Sequence, residues 1–139
     1  MPAPHLARDL VTAVAAGQGI GPLLIDLNRT HATHPLWPGH ARFHLVWQAL
    51  TLFLLSLVTI GLLWMPAPLS TERFYLAATL TALPLAGFLA ALCSRGMYKG
   101  TLHDPQGIAP MRFGQLAVDL NAAIVFFAAV LLVVAVVIY

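Results

Sequence analysis

The chain has 139 residues, of which 60% are hydrophobic and 9% are charged, and its mean hydropathy is +0.84. This composition excludes an ordinary soluble domain and predicts an all-α integral membrane protein. The formal net charge is only +2, and the few basic residues suit membrane topology and anionic headgroups better than a nucleic acid, so no nucleic-acid partner is expected. The single cysteine, Cys93, excludes an internal disulfide and a multi-cysteine metal site.

The first predicted transmembrane helix covers about residues 8–28. It is long enough to span a bilayer, and its glycines and other small residues allow close contact with another helix. A signal peptide is the alternative for this segment. Against that alternative, Arg8 is balanced by Asp9, and no mature soluble domain follows.

Three further helices are predicted over about residues 38–64, 72–95 and 112–139. Each contains a charge-free stretch of roughly 20 residues, the length that spans a bilayer. Pro38 suits the first turn of its helix, where a missing N–H leaves no bond unmade. In the third helix, Pro84 predicts a bend and Gly87 predicts close packing. With the first segment, these helices are expected to form a single four-helix bundle domain over residues 1–139.

The basic residues predict the orientation of this bundle. The segments 29–44 and 95–112 hold five of the seven lysine and arginine residues. Because positive residues are enriched on the cytoplasmic side, both segments are expected to face the cytoplasm. The predicted location is therefore the inner or plasma membrane, with the lipid bilayer as the first partner.

Most of the unusual chemistry lies around the junction of the first two helices, where four of the six histidines fall in one short window. His40 and His44 are four residues apart, which places both imidazoles on one helical face. That geometry suits metal binding or the pairing of a general acid with a general base. His31 and His34 precede this helix in a loop that Pro35 keeps extended, and from there they could fold back over the helix start.

Two aspartates are predicted to lie near the same membrane surface. Asp26 ends the first helix, and Asp119 is expected about two turns inside the fourth. An aspartate within a membrane segment costs roughly 2.5 kcal/mol or more on insertion scales, so it normally faces the bundle interior and has a partner. Both aspartates lie toward the leaflet of the histidines, which predicts one inner-side pocket. The alternative for Asp119 is a hydrogen bond that only locks the bundle.

These positions define the predicted site. The residues assigned to acid/base chemistry are Asp26, His40, His44 and Asp119. The candidate ligands for a metal, iron or zinc, are Asp26, His31, His34, His40 and His44. The residues assigned to cofactor or substrate binding are Asn28, Trp37 and Arg42. An aromatic belt is the alternative for Trp37, and a topology or phosphate contact is the alternative for Arg42. His103, followed by Asp104, indicates a turn, so its replacement is expected to matter less than that of His40 or His44.

The sequence around this site also resembles a known pattern. Its residues are Asp26-x-Asn28-x-Thr30-His31, followed by Pro35-x-Trp37-Pro38-x-His40-Ala-Arg42-Phe43-His44. They are similar to the signature of a family of small four-helix microbial membrane proteins of unassigned function. The resemblance covers about twenty residues and the hydropathy profile. It implies a shared site that includes Asp26, Asn28, His31, His40 and His44. The chain departs from the pattern at His34, where the family has asparagine, and at Gly39, where it has a second proline, which weakens His34 as an essential ligand.

This inventory predicts a membrane enzyme with a metal-dependent site that acts on a hydrophobic small molecule or lipid by oxidation, isomerisation or hydrolysis. Such a site suits a substrate that partitions into lipid while protons, water or oxygen arrive from the aqueous side. Two alternatives stay open: a metal-free isomerase or cyclase in which Asp and His shuttle a proton, and a non-catalytic accessory subunit that handles metal or lipid. A homo-oligomer or a partner subunit is compatible with each.

Cysteines placed at Thr33 and Gly107, in a chain in which Cys93 is replaced by serine, test the orientation. Because both positions are expected to face the cytoplasm, an impermeant thiol reagent should label neither in intact cells and both after lysis. A cysteine at Ala67, on the opposite side of the predicted bundle, is the control and should be labelled in intact cells. Labelling at both Thr33 and Gly107 in intact cells would contradict the topology.

Overall fold

The computed structural model describes residues 3–103 and 108–139, which form four long helices and one short hairpin. The helices are α1 (Ala3–Ile25), α2 (Gly39–Trp64), α3 (Thr71–Ser94) and α4 (Leu120–Ile138). A single 3-10 turn, Arg95–Met97, follows α3. Because α1 contacts each of the other three helices, the elements form one bundle. The four helices expected from the sequence are therefore confirmed.

Within the described residues, three helices are long and apolar enough to cross a membrane, namely α2, α3 with the turn that follows it, and α4. In their most apolar stretches only 17%, 22% and 11% of the residues are buried by the rest of the protein. α1 does not belong to this group, because it also carries Arg8, Asp9 and Gln18. Most of the apolar surface of α2, α3 and α4 is thus left uncovered by the chain itself.

α1 packs through one face of small side chains. Its buried residues recur every three or four positions, as a single helical face requires. They are Ala7, Val11, Val14, Ala15 and Gly19. Gly19 is the tightest point, since a Cβ atom there would lie 2.5 Å from Ser56 Cβ and 3.4 Å from Phe53 Cα in α2. The close contact expected from the glycines of this helix therefore occurs at Gly19, whereas a Cβ atom at Gly17 or Gly21 would meet nothing within 4 Å.

A polar contact joins α1 to α3 near Pro84. Gln18 Nε2 donates a hydrogen bond to the backbone carbonyl of Thr81, at 3.1 Å, in the turn before the proline. A proline inside a helix removes one backbone donor and displaces the preceding turn, so carbonyl groups there need other donors. The Gln18 amide supplies one such donor between two mostly apolar helices.

The close packing expected at Gly87 is wrong. Gly87 is exposed, and a Cβ atom added there would meet no atom within 4 Å. The buried face of α3 consists instead of Phe74, Ala77, Ala78, Thr81 and Leu85. Gly87 lies on a different face of the helix, where no neighbouring helix approaches. α3 continues without interruption through Pro84, and a bend there stays a prediction.

Aromatic side chains hold together the end of the bundle at which α2 and α4 finish. The Trp64 indole donates to Thr12 Oγ1, at 2.9 Å, and the Arg8 guanidinium lies 3.8 Å from the Trp64 ring centroid. The rings of Phe74 and Tyr139 are stacked, with centroids 3.7 Å apart. The start of α1 thus meets the end of α2, and the start of α3 meets the end of α4, so these pairs run antiparallel.

The segment before α4 is a hairpin and not, as predicted from the sequence, the first turns of a helix. β1 (Met111–Phe113) pairs antiparallel with β2 (Leu116–Val118), and the register leaves Gly114 and Gln115 as a two-residue turn. Gly114 has a φ of +62°, a conformation that glycine adopts without strain and that such hairpin turns require. The hairpin therefore interrupts the helix that hydropathy extends back toward residue 112.

α4 begins at Leu120, and Asp119 is its N-cap. Aspartate is favoured at this position because its side chain accepts hydrogen bonds from backbone N–H groups that have no partner within the helix. The depth of two turns predicted for Asp119 is therefore wrong. The carboxylate lies at the helix start, level with the loops.

Gly19→Ala should destabilise the bundle, because the added methyl group overlaps Ser56; overpacking of this kind typically costs about 1–3 kcal/mol. Gly17→Ala is the matched control, since the same change in the same helix meets open space. It should be neutral or stabilising by up to about 1 kcal/mol. Thermal unfolding in detergent micelles measures both variants, and Ser56→Gly should restore stability to the Gly19→Ala protein. Equal melting temperatures for the two single variants would count against this packing.

Candidate functional site

The candidate site lies at the end of the bundle at which α1 and α3 finish, which we call the loop end. This end comprises residues 26–38, residues 98–103, the β1–β2 hairpin and the first turn of α4. A cavity of about 190 Å³ opens there. The polar side chains that line it include His31, His103, Asp119 and Asn121. The site thus joins residues from distant parts of the chain.

Asp119 uses its two oxygen atoms for different partners. Oδ1 accepts hydrogen bonds from the backbone N–H groups of Asn121 (2.9 Å) and Ala122 (3.2 Å). Oδ2 lies 3.7 Å from Nδ1 of His103, an ion-pair separation that is too long for a direct hydrogen bond. The Asp119 side chain is 11% exposed and that of His103 is 45% exposed. A largely buried carboxylate beside an accessible imidazole can compensate the positive charge of the ring when the ring is protonated.

A series of hydrogen bonds from the end of α1 fixes His31. Asn28 Nδ2 donates to the backbone carbonyls of Leu24 (3.3 Å) and Ile25 (2.8 Å), so its Oδ1 atom faces Thr30. Thr30 Oγ1 donates its only proton to that oxygen, at 2.7 Å. His31 Nδ1, which lies 2.8 Å from Thr30 Oγ1, must therefore be the donor in that contact. In neutral His31 the lone pair is consequently on Nε2, which makes this nitrogen a proton acceptor.

Apolar side chains form the remaining walls of the cavity. Ile25 comes from α1, and Leu120 and Ile124 come from α4. Trp37 closes the loop side, and its ring meets the His31 ring edge to face with centroids 5.4 Å apart. The cavity therefore sets two imidazoles and a carboxylate against an apolar surface.

His34 and Arg42 hold the loop together. His34 is buried, and its Nδ1 atom accepts a hydrogen bond from the backbone N–H of Leu36, at 3.2 Å, as an asparagine does in an Asx-turn. The Arg42 guanidinium donates to the backbone carbonyls of Trp37 (2.9 Å) and Pro35 (3.1 Å). The structure thus gives both residues a structural role in the turn rather than a place in the cavity.

His40 and His44 lie on one face at the start of α2, as their spacing predicts. Their Nε2 atoms are 3.0 Å apart, and their ring centroids are 4.4 Å apart. Both side chains are exposed, and the His44 ring lies 5.8 Å from the Trp47 ring, measured between centroids. Neither histidine belongs to the cavity lining described above. The pair is a separate feature of the surface.

The predicted metal-ligand set is not brought together. Among residues 3–103 and 108–139, no group of three or more histidine, cysteine, aspartate or glutamate side chains is placed to hold a metal ion. The expectation that His40 and His44 join His31 and an aspartate in one shell is therefore wrong for this part of the chain. The physical reason is local, since backbone bonds from His34 to His31 (3.0 Å) and from Trp37 to His34 (3.2 Å) fold the loop into consecutive turns. These turns separate His31 from the start of α2.

Asp26 lies just beyond the end of α1 and is partly buried. Its backbone carbonyl accepts a hydrogen bond from Ala32, at 2.9 Å, which closes the first turn of the loop. Burial raises the pKa of the Asp26 carboxyl above its usual value, and the nearby His31 ring offsets part of this effect. Asp26 thus lies outside the cavity lining, and its carboxyl is influenced electrostatically by His31.

Sequence reasoning missed the proximity of His103 to Asp119, although one signal was present. Asp119, Leu120 and Asn121 precede an uninterrupted apolar run, and an aspartate in that position is a typical N-cap. A helix that starts there places Asp119 at the level of the preceding loop, and so near His103. The residues Asp104 and Gly107, which the sequence singles out in the same loop, lie outside the described part of the chain.

In comparisons with protein-family models, curated proteins and solved structures, none matches this chain. The geometry of the loop end is therefore the basis for a functional proposal. Within it, the contacts of His31, His103 and Asp119 are the ones relevant to chemistry.

Asp26→Asn should raise the melting temperature at neutral pH. Because the folded-state pKa of Asp26 is raised, the folded chain binds this proton more tightly than the unfolded chain does, and its stability falls as the pH rises from the unfolded pKa through the folded pKa. Asparagine does not ionise and avoids that loss. Melting curves recorded against pH in detergent micelles should converge for the two proteins below about pH 3.9, the ordinary aspartate value. Asp9→Asn, at an exposed position of α1, is the control. A lower melting temperature for Asp26→Asn at neutral pH would contradict the raised pKa of Asp26.

Proposed function

We propose that the chain is an integral protein of the inner or plasma membrane in which all four helices cross the bilayer. The uncovered apolar surfaces of α2, α3 and α4 support this proposal. α1 has 23 residues, which corresponds to about 34 Å at 1.5 Å per residue and exceeds the hydrocarbon thickness of roughly 30 Å. Its polar Gln18 is bonded to α3, and its charged Arg8 and Asp9 lie at the opposite end from the cavity.

We place the loop end in the cytoplasm. Five of the seven basic residues lie in the loop end or in the helical turns next to it, and positive residues favour the cytoplasmic side. They are Arg29, Arg42, Arg95, Lys99 and Arg112. The cavity would then open at the boundary between the inner leaflet and the cytoplasm.

The chemistry we propose is proton transfer on a hydrophobic small molecule, in an isomerisation or cyclisation. The observation that carries this proposal is that His31, with its lone pair on Nε2, lines the same cavity as His103 and its partner Asp119. A proton acceptor and a second imidazole on one cavity are what general acid–base catalysis requires.

Each residue has a distinct role in this scheme. His31 is the general base, because Thr30 accepts a hydrogen bond from its Nδ1 and leaves Nε2 to take a proton from carbon. His103 is the general acid, since its exposed ring exchanges protons with water while Asp119 compensates its charge. His31 removes a proton from a carbon beside a carbonyl or double bond, and His103 gives a proton to a different carbon, which completes an isomerisation. His31 then releases its proton to water and His103 takes one up from water, which restores both rings for the next turnover. Asn28 is a positioning residue that acts through Thr30.

The size of the cavity limits what enters it. At about 190 Å³ it is smaller than the roughly 300–1,000 Å³ of a pocket that encloses a whole drug-sized ligand. The reacting end of a larger molecule fits this volume, while its apolar remainder stays against the lipid-facing surfaces of the helices. The apolar walls at Ile25 and Ile124 suit such a substrate.

The metal-dependent hypothesis receives less support from the geometry than acid/base chemistry does. Iron or zinc chemistry needs a ligand set that the described residues do not gather. The resemblance to the family of small membrane proteins supports the acid/base site at two positions. Both Asn28 and His31 belong to its signature, and the structure joins them through Thr30.

Deuterium exchange tests the proposal on a mixture of candidate substrates. Purified protein is reconstituted into vesicles of total host lipid extract and incubated in D₂O, and the extract is analysed by mass spectrometry for molecules that gain deuterium. The native protein should catalyse such exchange. His31→Ala and His103→Ala should each reduce it by about 10²-fold or more, the usual contribution of a general acid or base.

Asp119→Asn separates catalysis from folding. Asparagine caps a helix about as well as aspartate, so this variant should keep its melting temperature and lose exchange, whereas Asp119→Ala should also lose about 1 kcal/mol of stability. His5→Ala, at an exposed position near the other end of α1, is the matched histidine control and should keep full exchange. Exchange that is absent, or equal in all variants, would reject the enzyme and favour the accessory-subunit alternative.

A further inference from the structure

The histidine pair at the start of α2 lies outside the acid/base cavity and has its own chemistry. We propose that His40 and His44 form a surface binding site for a divalent transition-metal ion, with Cu²⁺ and Ni²⁺ as the best-suited ions. The site uses no residue of the cavity, so it stands independently of the proposed function.

The two donor nitrogens already lie at the separation that a shared ion requires. Nε2 of His40 and Nε2 of His44 are 3.0 Å apart. With metal–nitrogen bonds of about 2.0–2.1 Å, two ligands at a right angle are separated by about 2.9 Å and two ligands at a tetrahedral angle by about 3.3 Å. The observed separation is nearer the right angle. Tetragonal coordination by nitrogen and oxygen, which Cu²⁺ and Ni²⁺ prefer, has this angle.

The surroundings of the pair leave it accessible. Both side chains are exposed, and their ring planes are nearly perpendicular, at 88°. The nearby Arg42 guanidinium donates hydrogen bonds to the carbonyls of Pro35 and Trp37, which hold this cation against the loop. Both imidazoles are therefore accessible to an ion at the surface of the chain.

Because both histidines lie on one helix, an ion bound to the first imidazole finds the second imidazole already in position. Residues four apart on a helix are neighbours whose spacing the backbone sets. In the metal-free pair, one Nε2 atom donates a hydrogen bond that the other Nε2 atom accepts. When an ion binds, the Nε2 proton leaves to solvent and Nδ1 of the same ring takes up a proton, so that both Nε2 lone pairs face the ion. Water completes the shell. A site with only two protein ligands holds its ion exchangeably, which suits transient capture at the membrane surface.

Calorimetric titration of the purified protein in detergent micelles with NiCl₂ and CuCl₂ tests the site. One ion should bind per chain. His40→Ala and His44→Ala should each weaken binding by about 10²-fold, because a single imidazole lacks the effective concentration of its neighbour. His5→Ala should bind as the native protein does.

Trp47 supplies a second readout. Its ring centroid lies 5.8 Å from that of His44, so bound Cu²⁺ should quench its fluorescence. Trp47→Phe should remove this quenching while leaving the Ni²⁺ affinity unchanged. Quenching that persists in Trp47→Phe at the same amplitude would place the ion elsewhere and overturn the proposal.

A variant with a displaced histidine controls for histidine number. His44→Ala combined with Gln48→His keeps six histidines but separates the two on α2 by about 12 Å along the helix axis. It should bind as weakly as His44→Ala alone. Native-like binding by this variant, or native binding no tighter than that of His44→Ala, would overturn the proposal. Neither result bears on deuterium exchange, which depends on His31 and His103.

Discussion

The hydrogen bonds from the Asn121 and Ala122 backbone to Asp119 determine where the last helix begins, and the rest of the loop end depends on that position. Because α4 starts at Leu120, the preceding residues are free to pair as a hairpin instead of extending the helix. One carboxylate oxygen is used by the helix, and the other is left to face His103. The same side chain therefore stabilises the fold and forms part of the cavity wall.

The connection between α1 and α2 shows how many polar side chains a tight loop requires. Its backbone groups cannot all bond to one another, so side chains must supply donors and acceptors. Asn28, His34 and Arg42 do so, each through atoms that bond to backbone groups of the loop or of the end of α1. Of the four histidines in this region, His34 bonds to the loop backbone, His31 lines the cavity, and His40 and His44 pair with each other outside it. The partners of each residue, more than its type, decide which histidines are free for chemistry.

α1 connects the apolar bundle with this site. Its close approach to Ser56 at Gly19 and the bond from Gln18 to α3 hold it against its neighbours, although it is the least apolar of the four helices. Its last turn then contributes Ile25 to the cavity and carries Asn28 just beyond it. The packing of α1 in the bundle therefore sets the position of His31.

Local patterns in the sequence determined the number of helices, their approximate spans, and the common face of His40 and His44, because charge-free runs and helical periodicity act over neighbouring residues. They also predicted a site at the loop end. The N-cap pattern at Asp119 marked the start of α4 as well, although hydropathy alone extended that helix back toward residue 112. Only the tertiary structure decided the contact of Asp119 with His103 and the separation of His31 from the α2 histidines. These two features depend on contacts between residues far apart in the chain and on the competition between side-chain and backbone hydrogen bonds in the loop, which helical periodicity and charge-free runs do not specify.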